Sequence, residues 1–199
     1  MKPEATFAVV ILAAGGSRRL GQPKQLLEVS GQPLVARAVD AALASSAWPV
    51  VVVIGSEAAR VRAALVKKPV LIVENPAWPE GMASSLRSGV AAVRQFSKGI
   101  AGVVVALCDQ PGLSGKAIDA LIDAQRASGA SVVAARYASN LGAPVLFTAS
   151  RFPELETLTG DQGARILIKA DPHVVPVDLP EFESDIDTPE DLKRLRDGH

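Results

Sequence analysis

Phe7-Ala8-Val9-Val10-Ile11-Leu12-Ala13-Ala14-Gly15-Gly16-Ser17-Arg18-Arg19-Leu20-Gly21-Gln22-Pro23-Lys24 changes within a few residues from an unbroken apolar run to a glycine- and cation-rich loop. Phe7 to Leu12 carries apolar side chains at consecutive positions, so it reads as a strand buried on both faces. A strand that runs into such a loop is where an α/β protein builds an anion site. Neighbouring glycine and serine residues let backbone N–H groups converge on an oxyanion. Arg19 and Lys24 bring two positive charges, one able to grip phosphate oxygens in pairs and one a point charge. Two standard phosphate loops do not fit. A dinucleotide loop needs GxGxxG, whereas Gly15 and Gly16 are adjacent and the next glycine is Gly21. A P-loop needs lysine directly after its second glycine; Gly16 and Gly21 have that spacing, but Gln22 follows.

Outward from this loop, strand and helix patterns alternate. Strands are expected at Val50 to Ile54, Val70 to Val73, Val103 to Leu107, Val132 to Ala135, Pro144 to Phe147 and Val174 to Val177. Helices are expected at Leu34 to Leu43, Glu57 to Leu65, Ala83 to Phe96, Ser114 to about Ala127 and Gln162 to Lys169. Thr188-Pro189-Glu190-Asp191 opens a last helix, with a Thr cap, proline at the first helical position and an acid three residues past the cap. This alternation predicts an α/β fold, a doubly wound and mostly parallel sheet in three layers. No repeat or linker interrupts it, so residues 1–199 are expected to form one domain. In such sheets ligands bind beyond the carboxyl ends of the strands. That selects the loops after Leu12, Val73 and Leu107.

Composition narrows the ligand. Lys plus Arg and Asp plus Glu both number 21, so no basic stripe for nucleic acid and no membrane-seeking face is indicated. Five Phe, two Trp and one Tyr are too few for a base-stacking platform. The lone Cys108 excludes an internal disulfide and a CxxC site, and His173 and His199 cannot build a histidine zinc site. A Ser-His-Asp triad would have to use His173, which begins the apolar run HVVPV and reads as a strand residue. Phe7 to Ala14 is too short to span a bilayer and leads into no cleavage site, so a cytoplasmic protein is expected. Cys108 is expected to be a small buried hydrophobe, and Trp48 and Trp78 to pack against the sheet.

LAAGGSRRLGQPK resembles the signature of the molybdenum-cofactor guanylyl- and cytidylyltransferases, roughly LAAGxSxRxGxxK, with Leu12, Ala13, Ala14, Gly15, Ser17, Arg19, Gly21 and Lys24 in register. Five further segments in the same order look like the cytidylyltransferase branch: NPAWPEGMASSLRSG (Asn75 to Gly89), CDQP (Cys108 to Pro111), GAPVLF (Gly142 to Phe147), GDQGAR (Gly160 to Arg165) and DIDTPEDL (Asp185 to Leu192). The resemblance implies a Rossmann-like nucleotidyltransferase fold of the GT-A-like kind. It implies transfer of CMP from CTP to the terminal phosphate of the molybdenum cofactor, with release of pyrophosphate. Ala13-Ala14, where guanylyl-transferring relatives tend to have Gly-Gly, favours CTP. A molybdenum hydroxylase or its chaperone is then the expected recipient of the product.

Candidate site residues follow. Leu12 to Ser17, Arg19 and Lys24 are expected at the nucleotide, with Gly81 and Ser85 reading its base. Ser84 and Ser85 lie near a predicted helix start, where backbone N–H groups are free. Asp109 follows the most hydrophobic strand, where a carboxylate can hold Mg²⁺; as a plain loop acid it would do nothing of the kind. Asp185 and Asp187, two apart, point the same way if extended, and either cap the last helix or complete the metal site. The resemblance favours Asp187. Arg19, Lys24 and Asp109 are thus the expected catalytic residues, and Asp109 and Asp187 the expected ligands of Mg²⁺. Rival readings are a nucleotidyltransferase acting on a sugar or polyol phosphate, a nicotinamide-dependent oxidoreductase, and a non-catalytic cofactor escort.

Overall fold

The computed structural model describes residues 5–17, 21–137, 139–161 and 163–182. In chain order the strands are β1 (Thr6–Ala13), β2 (Glu28–Val29), β3 (Gln32–Pro33), β4 (Val50–Ile54), β5 (Leu71–Glu74), β6 (Ile100–Leu107), β7 (Val132–Tyr137), β8 (Asn140–Thr148) and β9 (Val175–Asp178). The helices are α1 (Leu34–Leu43), α2 (Ala58–Ala64), α3 (Met82–Phe96), α4 (Gly115–Ser128), α5 (Phe152–Thr157) and α6 (Arg165–Ala170). Among the described residues one seven-stranded sheet has the order β5-β4-β1-β6-β8-β7-β9, and β2 pairs with β3 in a separate small ribbon. β1 runs parallel to β4 and β6, as do β4 to β5 and β7 to β9; β8 alone is antiparallel, to both β6 and β7.

The two faces of β1 explain its sequence. Side chains alternate across a strand. Phe7, Val9, Ile11 and Ala13 therefore join the core under α1, α2 and α4, with Val39, Val61 and Leu121. Ala8, Val10, Leu12 and Ala14 join the opposite core under α3, α5 and α6, with Leu86, Leu155 and Ile168. Burial on both sides removes any need for a polar residue in the run. The three layers are the expected ones. From β1 the chain steps outward through β4 to β5, then returns to place β6 on the other side of β1. The strand order therefore reverses between β1 and β6, the position at which such sheets open a crevice.

Local signals hold where they are strong. Ser114 Oγ accepts from Ala117 N–H at 3.2 Å, and Gly129 closes α4 in the left-handed region at φ 69°. The structure differs elsewhere. The strand expected at Pro144 to Phe147 runs from Asn140 to Thr148 and forms a hairpin with β7. α5 and the β2–β3 ribbon lie where no element was expected. His173 is exposed in the turn before β9, its N–H bonded to Asp171 Oδ1 at 2.8 Å. Trp48 does not pack against the sheet: it is 47% exposed and meets Phe96 edge-on at 6.5 Å. The helix expected from Thr188 lies outside the described residues.

Gly89 sits inside α3, facing β1. A Cβ there would fall within contact distance of both Val10 Cγ1 and, at 3.1 Å, Val53 Cγ2. Glycine to alanine in a helix ordinarily gains about 1 kcal/mol. Here overpacking, costing about 1–3 kcal/mol, should win. Gly89→Ala is expected to lower stability by up to about 2 kcal/mol in urea unfolding.

Candidate nucleotide cleft

The carboxyl ends of β1 and β6 meet where Cys108 N–H bonds to Leu12 O at 3.3 Å. Beyond that point the chain leaves β1 as a loop whose first carbonyl groups, from Ala13 to Gly15, are committed. Ala14 O accepts from Ser56 N–H at 3.0 Å. Ala13 O and Gly15 O both accept from the Gln25 side-chain amide, at 3.0 and 2.6 Å. Ser17, at φ 48°, turns its hydroxyl to accept the Lys24 backbone N–H at 2.9 Å. The segment Lys24–Leu26, a single 3₁₀ turn, therefore lies against the loop from below. It also aims the Lys24 ammonium at Asp109: Nζ and Oδ2 are 3.3 Å apart, with the side chains only 15% and 24% exposed. The lysine is largely buried against the carboxylate at the end of β6.

The loop after β5 forms the facing wall. Asn75, 3% exposed, donates through Nδ2 to Ser84 Oγ and Ser85 Oγ at 2.9 and 3.0 Å, and its Oδ1 accepts Ala77 N–H at 3.0 Å. The one proton of Ser84 Oγ is shared between Ala77 O and Gly81 O, both at 2.9 Å. It fastens the turn and does not face a ligand. Ser85 accepts from Asn75 and keeps its own hydroxyl proton for another partner. Gly81 caps α3 at φ 114°, and a Cβ there would meet Gly160 O at 2.5 Å, so a side chain is excluded twice over. Trp78 lies flat over two glycines: a Cβ on Gly16 would sit 2.9 Å from its ring, and one on Gly55 2.8 Å.

These elements enclose a cleft of about 380 Å³. Leu12, Ala13, Ala14, Gly15, Gly16, Ser17, Lys24, Gly81, Ser85 and Asp109 all line it, so ten expected site residues from three separate stretches share one cavity. Arg19, Asp185 and Asp187 lie outside the described residues, and with them the expected facing of Asp187 and Asp109. A second cleft of about 320 Å³ adjoins the first, sharing Leu12, Met82, Leu107 and Asp161. Its floor is mostly apolar, from Val105, Val145 and Ile168, and Tyr137, Gln110 and Arg165 supply polar atoms.

Asp109 offers a hard oxygen donor at the cleft, the chemistry that Mg²⁺ prefers; that ion often takes one or two protein carboxylates and fills its shell with phosphate oxygens and water. No group of three metal-ligating side chains occurs among the described residues. Burial pushes the Cys108 thiol well above its usual range, and the Asp109 charge adds to this. The thiol stays protonated and is no nucleophile. Gln25, Asn75, Trp78 and Asp161 line or support the cleft without having been singled out as site residues. Asp161 stands in the GDQGAR segment already noted, and Asn75 and Trp78 in the NPAWPEG segment; Gln25 carries no local signal, because its partners are backbone carbonyls. No described helix is long and apolar enough to cross a membrane.

Comparison with known proteins agrees with this geometry. The family described as MobA-like NTP transferase domain matches residues 9–181. A protein of Paenarthrobacter nicotinovorans named nicotine blue oxidoreductase is 36% identical, over 94% of each chain. The Bacillus subtilis purine catabolism protein PucB is 34% identical, again over 94% of each. A Mycobacterium tuberculosis protein solved in complex with manganese superposes with a TM-score of 0.80 at 28% identity, covering 98% of this chain and 100% of that one.

The two serines should separate on mutation. Ser84→Ala strips one acceptor and two carbonyl partners from a buried turn and should cost about 1–3 kcal/mol in chemical unfolding. Ser85→Ala loses one buried hydrogen bond and should cost about 1 kcal/mol while showing the larger effect on nucleotide affinity.

Proposed function

The chain belongs to the MobA-like NTP transferase family, and from that premise we propose that it transfers CMP from CTP to the terminal phosphate of the molybdenum cofactor, releasing pyrophosphate. The observation that carries this reading is the cleft at the β1–β6 crossing, where a glycine-rich loop, Lys24 and Asp109 converge. A phosphate monoester has its second pKa near 6 and is mostly ionised at neutral pH. Its oxygen attacks the α-phosphorus of CTP, the bond from that phosphorus to the bridging oxygen of the β-phosphate breaks, and pyrophosphate leaves with the electron pair. No general base is required, which suits a cleft without histidine. What the reaction needs is alignment and charge neutralisation.

Lys24 supplies one positive charge beside the loop, and Arg19 is assigned a second. Without nucleotide, Lys24 and Asp109 neutralise each other across 3.3 Å. A triphosphate entering the cleft competes for the lysine, and the freed Asp109 carboxylate becomes available to a cation. Asp109, with Asp187, would hold Mg²⁺, which when bound supplies charge neutralisation on the triphosphate oxygens; the manganese complex of the mycobacterial relative supports a divalent ion. The preference for CTP rests on resemblance: Ala13-Ala14 and the loop from Gly81 to Ser85 look like those of the cytidylyltransferase branch. The adjoining cleft, with its apolar floor, suits the pterin of the acceptor better than a sugar or polyol, whose hydroxyl groups would lose water there without replacement.

One observation favours a second reading, a nicotinamide-dependent oxidoreductase: the relative named nicotine blue oxidoreductase. The loop lacks the GxGxxG spacing that such a cofactor requires. Incubating the protein with each NTP, Mg²⁺ and isolated molybdenum cofactor, and measuring pyrophosphate, separates the two. CTP should turn over fastest; faster GTP would overturn the cytidine assignment, and NADH oxidation without pyrophosphate would overturn the transferase. Lys24→Ala, Arg19→Ala and Asp109→Asn should each lower kcat/KM by about 10²-fold or more, the scale of a lost transition-state contact.

A further inference from the structure

Gln25 is 2% exposed, and its side chain is half satisfied. Nε2 spends both protons on Ala13 O and Gly15 O, while Oε1, equally buried, has no hydrogen-bond partner among the described residues. A buried polar atom without a partner is a cost to stability. An apolar side chain of similar length would avoid that cost but would take two donors from the Ala13 and Gly15 carbonyls, so the reason for an amide is not its own oxygen. The reason must lie in what the amide holds.

It holds the Gly15–Gly16 peptide. Two successive glycines have little steric preference in φ and ψ, so the peptide plane between them can turn over at small cost. One orientation presents the N–H of Gly16 to a ligand on the far side from Gln25; the other presents the Gly15 carbonyl oxygen, which repels an anion. The Gln25 clamp accepts only the first. Ser56 N–H fixes the preceding Ala14 carbonyl in the same manner, and the Lys24 N–H to Ser17 Oγ bond closes the loop at its far end. Gln25 is the one side chain reaching two of these carbonyl groups.

We propose that Gln25 is a positioning residue of the nucleotide site: by clamping the Ala13 and Gly15 carbonyls it keeps the loop in the orientation that offers N–H groups, and not oxygen atoms, to a triphosphate. This rests on the reading of the cleft as an NTP site, and it adds to that reading a residue that never touches the nucleotide. Gln25 acts on the population of the competent loop. If that population falls to about a tenth, the apparent Kd rises about tenfold.

The test reads binding and folding separately. The chain has two tryptophans; replacing the exposed Trp48 by Phe leaves Trp78, in the cleft wall, as the fluorescent reporter for titration with CTP and Mg²⁺. In this background Gln25→Met should weaken CTP binding about tenfold and leave Tm within about 4 °C of its parent. Gln25→Glu should bind still more weakly at pH 8, because a carboxylate faces two carbonyl oxygens. It should recover part of its affinity relative to the parent as pH falls and the buried acid, protonated below its raised pKa, regains a donor. Gln25→Met binding CTP within about twofold of its parent would overturn the inference. Weak binding together with a large fall in Tm would assign Gln25 to the fold instead. Should neither variant fold, side-chain amide exchange in the parent decides: slow exchange of the Gln25 Nε2 protons supports the clamp, and exchange at the rate of an exposed glutamine overturns it. A parent that answers to no NTP refutes the proposed function itself, an outcome distinct from all of these.

Discussion

Burial of β1 on both faces is the constraint from which the site follows. Between Phe7 and Ala14 every side chain enters one of two cores, and the ladders to β4 and β6 take up the backbone polar groups along the strand. Apolar burial at roughly 25 cal/mol per Å² makes this strand the least negotiable part of the molecule. It also means that unpaired backbone groups can first appear only where the strand ends. Gly15 and Gly16 occupy that point, at the reversal of strand order, with β6 delivering Asp109 alongside. The chemistry is placed by the core, not by the loop.

Two layers of polar contacts then convert a loose glycine loop into a fixed surface. Gln25 and Ser56 engage carbonyl groups from behind, while Asn75 ties the opposing turn to the start of α3 through Ser84 and Ser85. The ion pair of Lys24 with Asp109 joins the first of these layers to the end of β6. Membership of the MobA-like NTP transferase family is consistent with such an arrangement, since a site that works by positioning and charge needs rigid donors more than reactive side chains.

The sequence disclosed what depends on local pattern. Continuous β-branched runs marked β1, β4 and β6, three-to-four spacing marked α1 and α3, and Ser114 marked the start of α4. The hairpin of β7 and β8 escaped notice because Gly142 and Pro144 interrupt the strand pattern and no Asn-Gly turn announces the reversal. α5 was missed because six residues are too few to show a helical period. In the site, Leu12 to Ser17 and Asp109 were legible because loops after buried strands are few. The pairing of Lys24 with Asp109, 85 positions apart, was not, since it depends on how the 3₁₀ turn at Lys24 is laid against β6. Trp78 packs against the sheet's core as expected; that it also covers Gly16 and Gly55, on two separate loops, was not legible.

Gly81 meets Gly160 and Asp161 so closely that no methyl group fits between them. The turn leading into α3 and the segment leading into α6 therefore touch through backbone, and Asp161 borders both clefts. Divergence of this architecture toward new acceptors is limited by that contact. A descendant may repaint the floor of the second cleft one side chain at a time, but it can reshape the rim only by altering both segments together. The second cleft should thus drift by substitution on β6, β8 and α6, and its rim change only when residue 81 and residues 160 and 161 vary together.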